Sequence, residues 1–142
     1  MIQSVFVYGT LKRGQCRAAC WPREPLSVCE AWTWACLYGR SDYPAMTAGR
    51  NRVLGELWKF PADRMAEVLA KIDQVEGTNQ PGQEDLYVRV AIKTWSREGQ
   101  PKDDAFAYRY ATDPLADGFA LLQPEGPDEW VRWPSDRQPS ST

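Results

Sequence analysis

The chain is 142 residues long, 43% hydrophobic and 25% charged, with a net charge of −2 and no histidine. That length suffices for one domain with a real core, and the near-neutral balance without a basic block removes the electrostatic reason to expect nucleic acid. The missing histidine excludes a Ser-His-Asp or Cys-His apparatus and any His-ligated metal, so proton chemistry near neutral pH falls to a carboxylate, Tyr, Lys or Cys. No apolar run approaches the roughly 20 residues that span a bilayer. The N-terminus lacks the basic and apolar regions of a signal peptide. A cytoplasmic protein without membrane partners is expected, and its oligomeric state is left open.

The opening stretch Val5-Phe6-Val7-Tyr8-Gly9-Thr10-Leu11-Lys12-Arg13-Gly14 runs β-favouring residues into a glycine-bearing turn. Just past such a strand end, consecutive backbone N–H groups can grip an anion or a carbonyl oxygen. A core strand followed by an ordinary turn is the alternative. Residues 14–25 read as a loop, 30–38 as an aromatic-rich strand, 39–42 as a turn, 43–46 as a short extended piece and 48–52 as another turn. A further strand follows over 53–60, where Gly55 points to a bend or a close backbone approach. The four cysteines, Cys16, Cys20, Cys29 and Cys36, match no paired C-x-x-C zinc pattern. Free thiols are expected, with a four-thiolate metal site as the alternative.

The clearest helix begins at Pro61, which suits a first turn. It carries Met65, Val68, Leu69 and Ile72 at i, i+3, i+4 and i+7 and stops at Gly77. Residues 78–86 form a polar loop. Tyr87 to Trp95 alternates, placing Val88, Val90 and Ile92 on a buried face with Arg89 and Lys93 opposite. Residues 104–110 are its expected antiparallel partner. Beyond Thr112 the chain is rich in proline and glycine, yet Leu121, Leu122, Trp130 and Trp133 are too apolar for a free tail, so this segment packs back on the body. The sum is a single domain over 1–137 with a disordered tail over 138–142, of α+β class with a mostly antiparallel, barrel-prone sheet.

Glu76 ends the helix one turn after Ile72. The negative end of the helix dipole and partial burial both disfavour its charged form, moving it toward the range of a general base near pH 7. An exposed glutamate beside a capping glycine is the alternative. Asp73 reads as a solvated or hydrogen-bonding partner.

Val7-Tyr8-Gly9-Thr10-Leu11-Lys12-Arg13-Gly14, Tyr43-Pro44-Ala45, Gly55-Glu56-Leu57, Ile72-Asp73-x-x-Glu76-Gly77 and Tyr87-x-Arg89 occur in that order. Over roughly residues 5–110 the chain resembles the γ-glutamylcyclotransferase-like family, with its γ-glutamylamine cyclotransferase and AIG2-like members. The resemblance implies a small β-barrel flanked by helices with a cavity at one mouth. It also implies an enzyme that turns a small γ-glutamyl amine or dipeptide into 5-oxoproline, without metal or cofactor. Glu76 stands where the family has its catalytic glutamate, and Tyr8, Gly9, Thr10 and Leu11 match the loop that binds the glutamyl part. Tyr43, Tyr87 and Tyr110 are placed with the substrate-binding residues, although an aromatic at a strand edge also reads as core. Arg89 either pairs with a carboxylate or faces solvent. Glu84 and Asp85 fall near the expected mouth. A non-catalytic module binding a small ligand or a protein on the same barrel is the second reading.

Overall fold

A computed structural model of the chain describes residues 1–126 and 129–134. The apolar run at the N-terminus becomes β1 (Ser4–Val7), buried at every position. A strand covered on both faces needs no polar alternation. Val5 and Val7 face one core with the helix, and Phe6 faces a second core inside the curl of the sheet. The other strands among the described residues are β2 (Ser27–Gly39), β3 (Pro44–Lys59), β4 (Tyr87–Ile92), β5 (Ala105–Tyr110) and β6 (Ala120–Leu121). With β1 in the middle they form a six-stranded sheet of order β4-β5-β1-β3-β2-β6. All pairings are antiparallel except β1 with β5. Trp95, just past β4, exchanges backbone hydrogen bonds with Trp32 of β2 (2.9 and 3.0 Å), so the sheet curls toward a barrel. The α+β reading holds.

The extended piece at 43–46, the turn at 48–52 and the strand at 53–60 are in fact one strand, β3. Pairing shifts between Ala35/Asn51 and Cys36/Thr47, leaving Ala48, Gly49 and Arg50 as extra residues in β3. Gly49 fits there because a Cβ would meet Cys36 Sγ at 2.2 Å. A turn-like composition thus marks an irregularity within a strand rather than its end. Gly55 meets the expected close approach: a Cβ would lie 2.4 Å from the Val7 carbonyl oxygen.

The predicted helix begins as a 3-10 turn (Ala62–Arg64) and continues as α1 (Met65–Glu76), the α-helix among the described residues. Met65, Val68 and Ile72 are buried against Val5, Val7, Tyr87 and Tyr108, with Leu69 partly covered. β4 and β5 pair as expected, Tyr87 opposite Tyr110 and Ile92 opposite Ala105. The predicted buried face of β4 needs correction, because Val88 is 41% exposed while Ile92 is buried and Val90 half-buried. Tyr87, on the other face, lies under α1. β4 is therefore covered on both faces along part of its length, and Val88 lies at an uncovered edge.

The segment after Thr112 packs back on the body. Phe119 is buried, β6 pairs with β2, Val131 bridges to Val53, and Trp133 donates its indole N–H to the Arg40 carbonyl (3.1 Å). The tail expected at 138–142 lies outside the described residues. No helix among the described residues is long and apolar enough to cross a membrane.

Candidate active site

Glu76 is the last residue of α1, and Gly77 reverses the chain with φ 66°, a left-handed conformation that favours glycine. The N–H of Thr78 closes the cap on the Asp73 carbonyl (2.8 Å). Thr78 also donates its hydroxyl to the Tyr87 carbonyl (2.6 Å), and Leu86 its N–H to the Gly77 carbonyl (2.9 Å). The helix end is stitched to the start of β4. One turn back, the Asp73 carboxylate accepts from Arg89 Nη1 (2.8 and 3.0 Å) and from the Tyr108 hydroxyl (2.6 Å). Arg89 therefore pairs with a carboxylate, and Asp73 is a hydrogen-bonding partner that docks the helix on β4 and β5.

Opposite lies the turn after β1. Its bonds use carbonyls as acceptors: Gly9 accepts from Lys12 N–H (3.1 Å), Thr10 from Arg17 N–H (2.8 Å) and Leu11 from the Trp21 indole (3.0 Å). The N–H groups of Gly9, Thr10 and Leu11 donate to none of the turn and loop backbone bonds among the described residues. Gly9 is needed for close packing, since a Cβ there would meet the Pro44 ring at 2.6 Å. Glu56 steadies the turn from β3, accepting the Arg13 N–H (2.9 Å) and the Trp58 indole (3.1 Å). Trp21 stacks on Trp58 with ring centroids 4.6 Å apart. A hydrogen-bond route joins the two halves: Tyr8 donates its hydroxyl to the Tyr108 carbonyl (2.5 Å), and the Tyr108 hydroxyl reaches Asp73 on α1.

Between the turn and the helix end is a cavity of about 300 Å³, at the lower end of the range for small-molecule sites. Tyr8, Gly9, Thr10 and Leu11 form one wall, Gln74, Val75, Glu76 and Gly77 another. Tyr43, Pro44, Tyr87 and Tyr108 join them, and Arg17, Gln83 and Leu86 bring three loop positions to the lining. Burial pushes the Glu76 carboxyl up to about 7, with the Arg17 guanidinium pulling the other way. Burial also holds the Tyr8 and Tyr87 hydroxyls above their usual value, with Glu76 adding to both. These two tyrosines stay neutral at physiological pH, and Glu76 is the group poised to exchange a proton there.

Of the residues singled out from sequence, Glu76, Tyr8, Gly9, Thr10, Leu11, Tyr43 and Tyr87 share this cavity. Tyr110 does not line it. Its ring packs edge-on against Tyr87 (5.4 Å) and Phe119 (5.1 Å), and its hydroxyl is donated to Asp117 (2.6 Å). Burial and that carboxylate raise its pKa to about 12. Glu84 and Asp85 also stay off the wall, and Asp85 accepts the Asn79 N–H instead (2.7 Å). Arg17, Gln74, Gln83 and Tyr108 join the lining without being singled out by the sequence motifs. Tyr108 carried a signal, since it stands on the predicted β5 strand two residues from Tyr110. The four cysteines are free thiols, and among the described residues no three Cys, Asp or Glu side chains are grouped to hold a metal. The four-thiolate alternative is not built.

The fold recurs in solved structures. YkqA of Bacillus subtilis superposes with a TM-score of 0.61 at 17% identity over 92% of this chain and 40% of that one. An AIG2-like protein of Mus musculus gives 0.60 at 24% identity over 96% of this chain and 99% of its own. A protein of Pyrococcus horikoshii gives 0.53 at 21% identity over 79% and 80%. At these identities the likeness is one of fold, and this chain spans less than half of the Bacillus protein. No curated protein matches the sequence. The family described as "Gamma-glutamyl cyclotransferase, AIG2-like" matches residues 5–131, most of the chain. The protein belongs to that γ-glutamyl cyclotransferase, AIG2-like family.

Proposed function

We propose that the protein is a cytoplasmic, cofactor-independent γ-glutamyl cyclotransferase, releasing 5-oxoproline from a small γ-glutamyl amine or dipeptide with Glu76 as general acid and base. The observation that carries this reading is a glutamate that lines one cavity with the turn at residues 8–11 and has its carboxyl pushed up to about 7. The substrate brings its own nucleophile. Its α-ammonium gives a proton to the Glu76 carboxylate, and the freed amine attacks the γ-carbonyl. The new C–N bond closes a five-membered ring as the old C–N bond breaks. The ring nitrogen sheds its second proton on becoming the lactam N–H, and the departing nitrogen takes up both protons, the first returned by Glu76, and leaves as an ammonium. Holding the glutamyl chain folded draws on the roughly 7–11 kcal/mol that proximity can contribute to such a step. The N–H groups of Gly9, Thr10 and Leu11 are the donors offered to the α-carboxylate or the developing oxyanion. Tyr8, Tyr43 and Tyr87 shape the wall around the ring-forming part.

An assay of 5-oxoproline release from a panel of γ-glutamyl amines and dipeptides tests this reading. Turnover by the wild type, lost in a folded Glu76→Gln variant, is the expected result. A wild type that turns over none of the panel leaves the non-catalytic binding module as the reading to pursue.

A further inference from the structure

Among the described residues that line the cavity only two carry charge, Glu76 and Arg17. They stand at different depths. Glu76 is largely covered, whereas the Arg17 side chain is exposed at the mouth beside the exposed Gln74 and Gln83. Arg17 spans the two halves of the site. Its backbone N–H is held by the Thr10 carbonyl (2.8 Å), and its Nη1 reaches the Val75 carbonyl at the helix end (3.5 Å). No ion pair joins it to Glu76 among the described residues. A guanidinium has five N–H donors in a fork that matches a carboxylate, and the long bond to Val75 engages one of the two terminal nitrogens.

The cyclisation sets the direction of the substrate. The glutamyl part must fold on itself between Glu76 and the turn, and the amine part must point to the mouth in order to leave. We propose that Arg17 is a specificity-determining residue whose guanidinium receives a carboxylate carried by the leaving part, so that the cavity selects γ-glutamyl α-amino acids over γ-glutamyl compounds with a neutral or cationic amine part. This inference rests on the cyclotransfer reading above. A leaving part with its own ammonium group meets a like charge at the mouth, which is a repulsive element as well as a missing contact.

Three probes that differ in one group test it: γ-glutamyl-L-alanine, γ-glutamylethylamide, which lacks the carboxylate, and γ-glutamyl-(2-aminoethyl)amide, which adds a positive charge. For the wild type, kcat/KM for 5-oxoproline release is expected to favour the alanine compound over the ethylamide by about tenfold, or about 1.4 kcal/mol. The aminoethyl compound should be slowest. In Arg17→Gln the alanine-to-ethylamide ratio is expected to fall to about one, and Arg17→Lys should restore part of it. Circular dichroism of each variant checks that the fold is retained. A wild-type ratio near one, or a ratio that survives Arg17→Gln, overturns the inference and leaves the cyclotransfer reading standing. So does an equal loss on both probes in Arg17→Gln, which would place the glutamyl carboxylate on Arg17 instead. Turnover of none of the three by the wild type removes the cyclotransfer reading and this inference together.

Discussion

The cavity beside Glu76 and the concave surface on β2 are built from similar materials. The second has a volume of about 220 Å³ and is lined by Trp32, Trp34, Arg50, Asn51, Arg52, Pro124 and Glu129. There Trp32 and Arg52 are engaged by their neighbours. Trp32 stacks on Trp95 with centroids 5.0 Å apart and gives its indole N–H to the Ser96 carbonyl (2.7 Å). The Arg52 guanidinium lies over Trp32 (5.7 Å) and Trp130 (5.0 Å), and Arg97 pairs with Glu30. At the first cavity a half-buried glutamate shares the lining with the turn at residues 8–11 instead. Aromatic and charged lining alone does not single out a candidate site; a titratable group held in a covered place is what singles out this one.

Substitutions can break or sharpen that contrast. The largest effect is expected for Glu76→Gln, which keeps the shape and removes the base, lowering kcat by ~10²–10⁴. Stability should move the other way at high pH. A carboxyl raised from 4.5 to about 7 in the folded state stabilises fully below about 4.5 and loses that contribution as pH rises through 7. Glu76→Gln should therefore match the wild type near pH 4 and exceed it at pH 8.5, by at most about 3 kcal/mol, in denaturant melts at the two pH values. A wild type that gains stability from pH 5 to 8.5 relative to the variant would reverse the sign and remove burial as the cause.

Gly9→Ala comes next. A Cβ 2.6 Å from the Pro44 ring must push the turn and that ring apart. Displacing a positioning element by an ångström can cost about 10² in rate, and the overpacking should lower stability by roughly 1–3 kcal/mol. Tyr108→Phe breaks the link from β5 to Asp73 while Arg89 still holds that carboxylate. A drop of about tenfold in kcat with KM little changed is expected if the link positions Glu76, for a stability loss near ~1 kcal/mol. An unchanged kcat would reduce the link to a structural one. At the β2 surface, Trp34→Ala should leave kcat/KM within about twofold, and the lost edge contact with Trp32 should cost ~0.5–1.5 kcal/mol in a thermal melt.

Much of the site was legible because its two halves are local. A β-run ending in a glycine turn and a helix ending in Glu76-Gly77 can each be read from neighbours in the chain. Asp73 and Arg89 were legible as candidates for pairing, but only the packing of α1 across β4 decides that they meet. Arg17 was illegible for the opposite reason. It lies in a loop without periodicity, and its place at the mouth follows from a bond to Thr10 and the approach of the helix end. Tyr43, Tyr87 and Tyr110 look alike in sequence, but the hydroxyl of Tyr110 is donated to Asp117, which lies in a 3-10 turn (Leu115–Asp117), and the ring stays off the cavity wall. The irregularity at residues 48–50 is hidden in the sequence because glycine among small and polar residues has the same composition in a turn as in a bulge.

The most direct test of the central claim is the pH dependence of kcat/KM for 5-oxoproline release from a γ-glutamyl dipeptide, measured beside a carboxyl-carbon NMR titration of Glu76. The proposed mechanism predicts an acid limb near pH 7 that coincides with the titration of Glu76 and disappears with the activity in Glu76→Gln. A carboxyl that titrates near 4.5 while the rate still rises through pH 7, or turnover that persists in the variant, would contradict it.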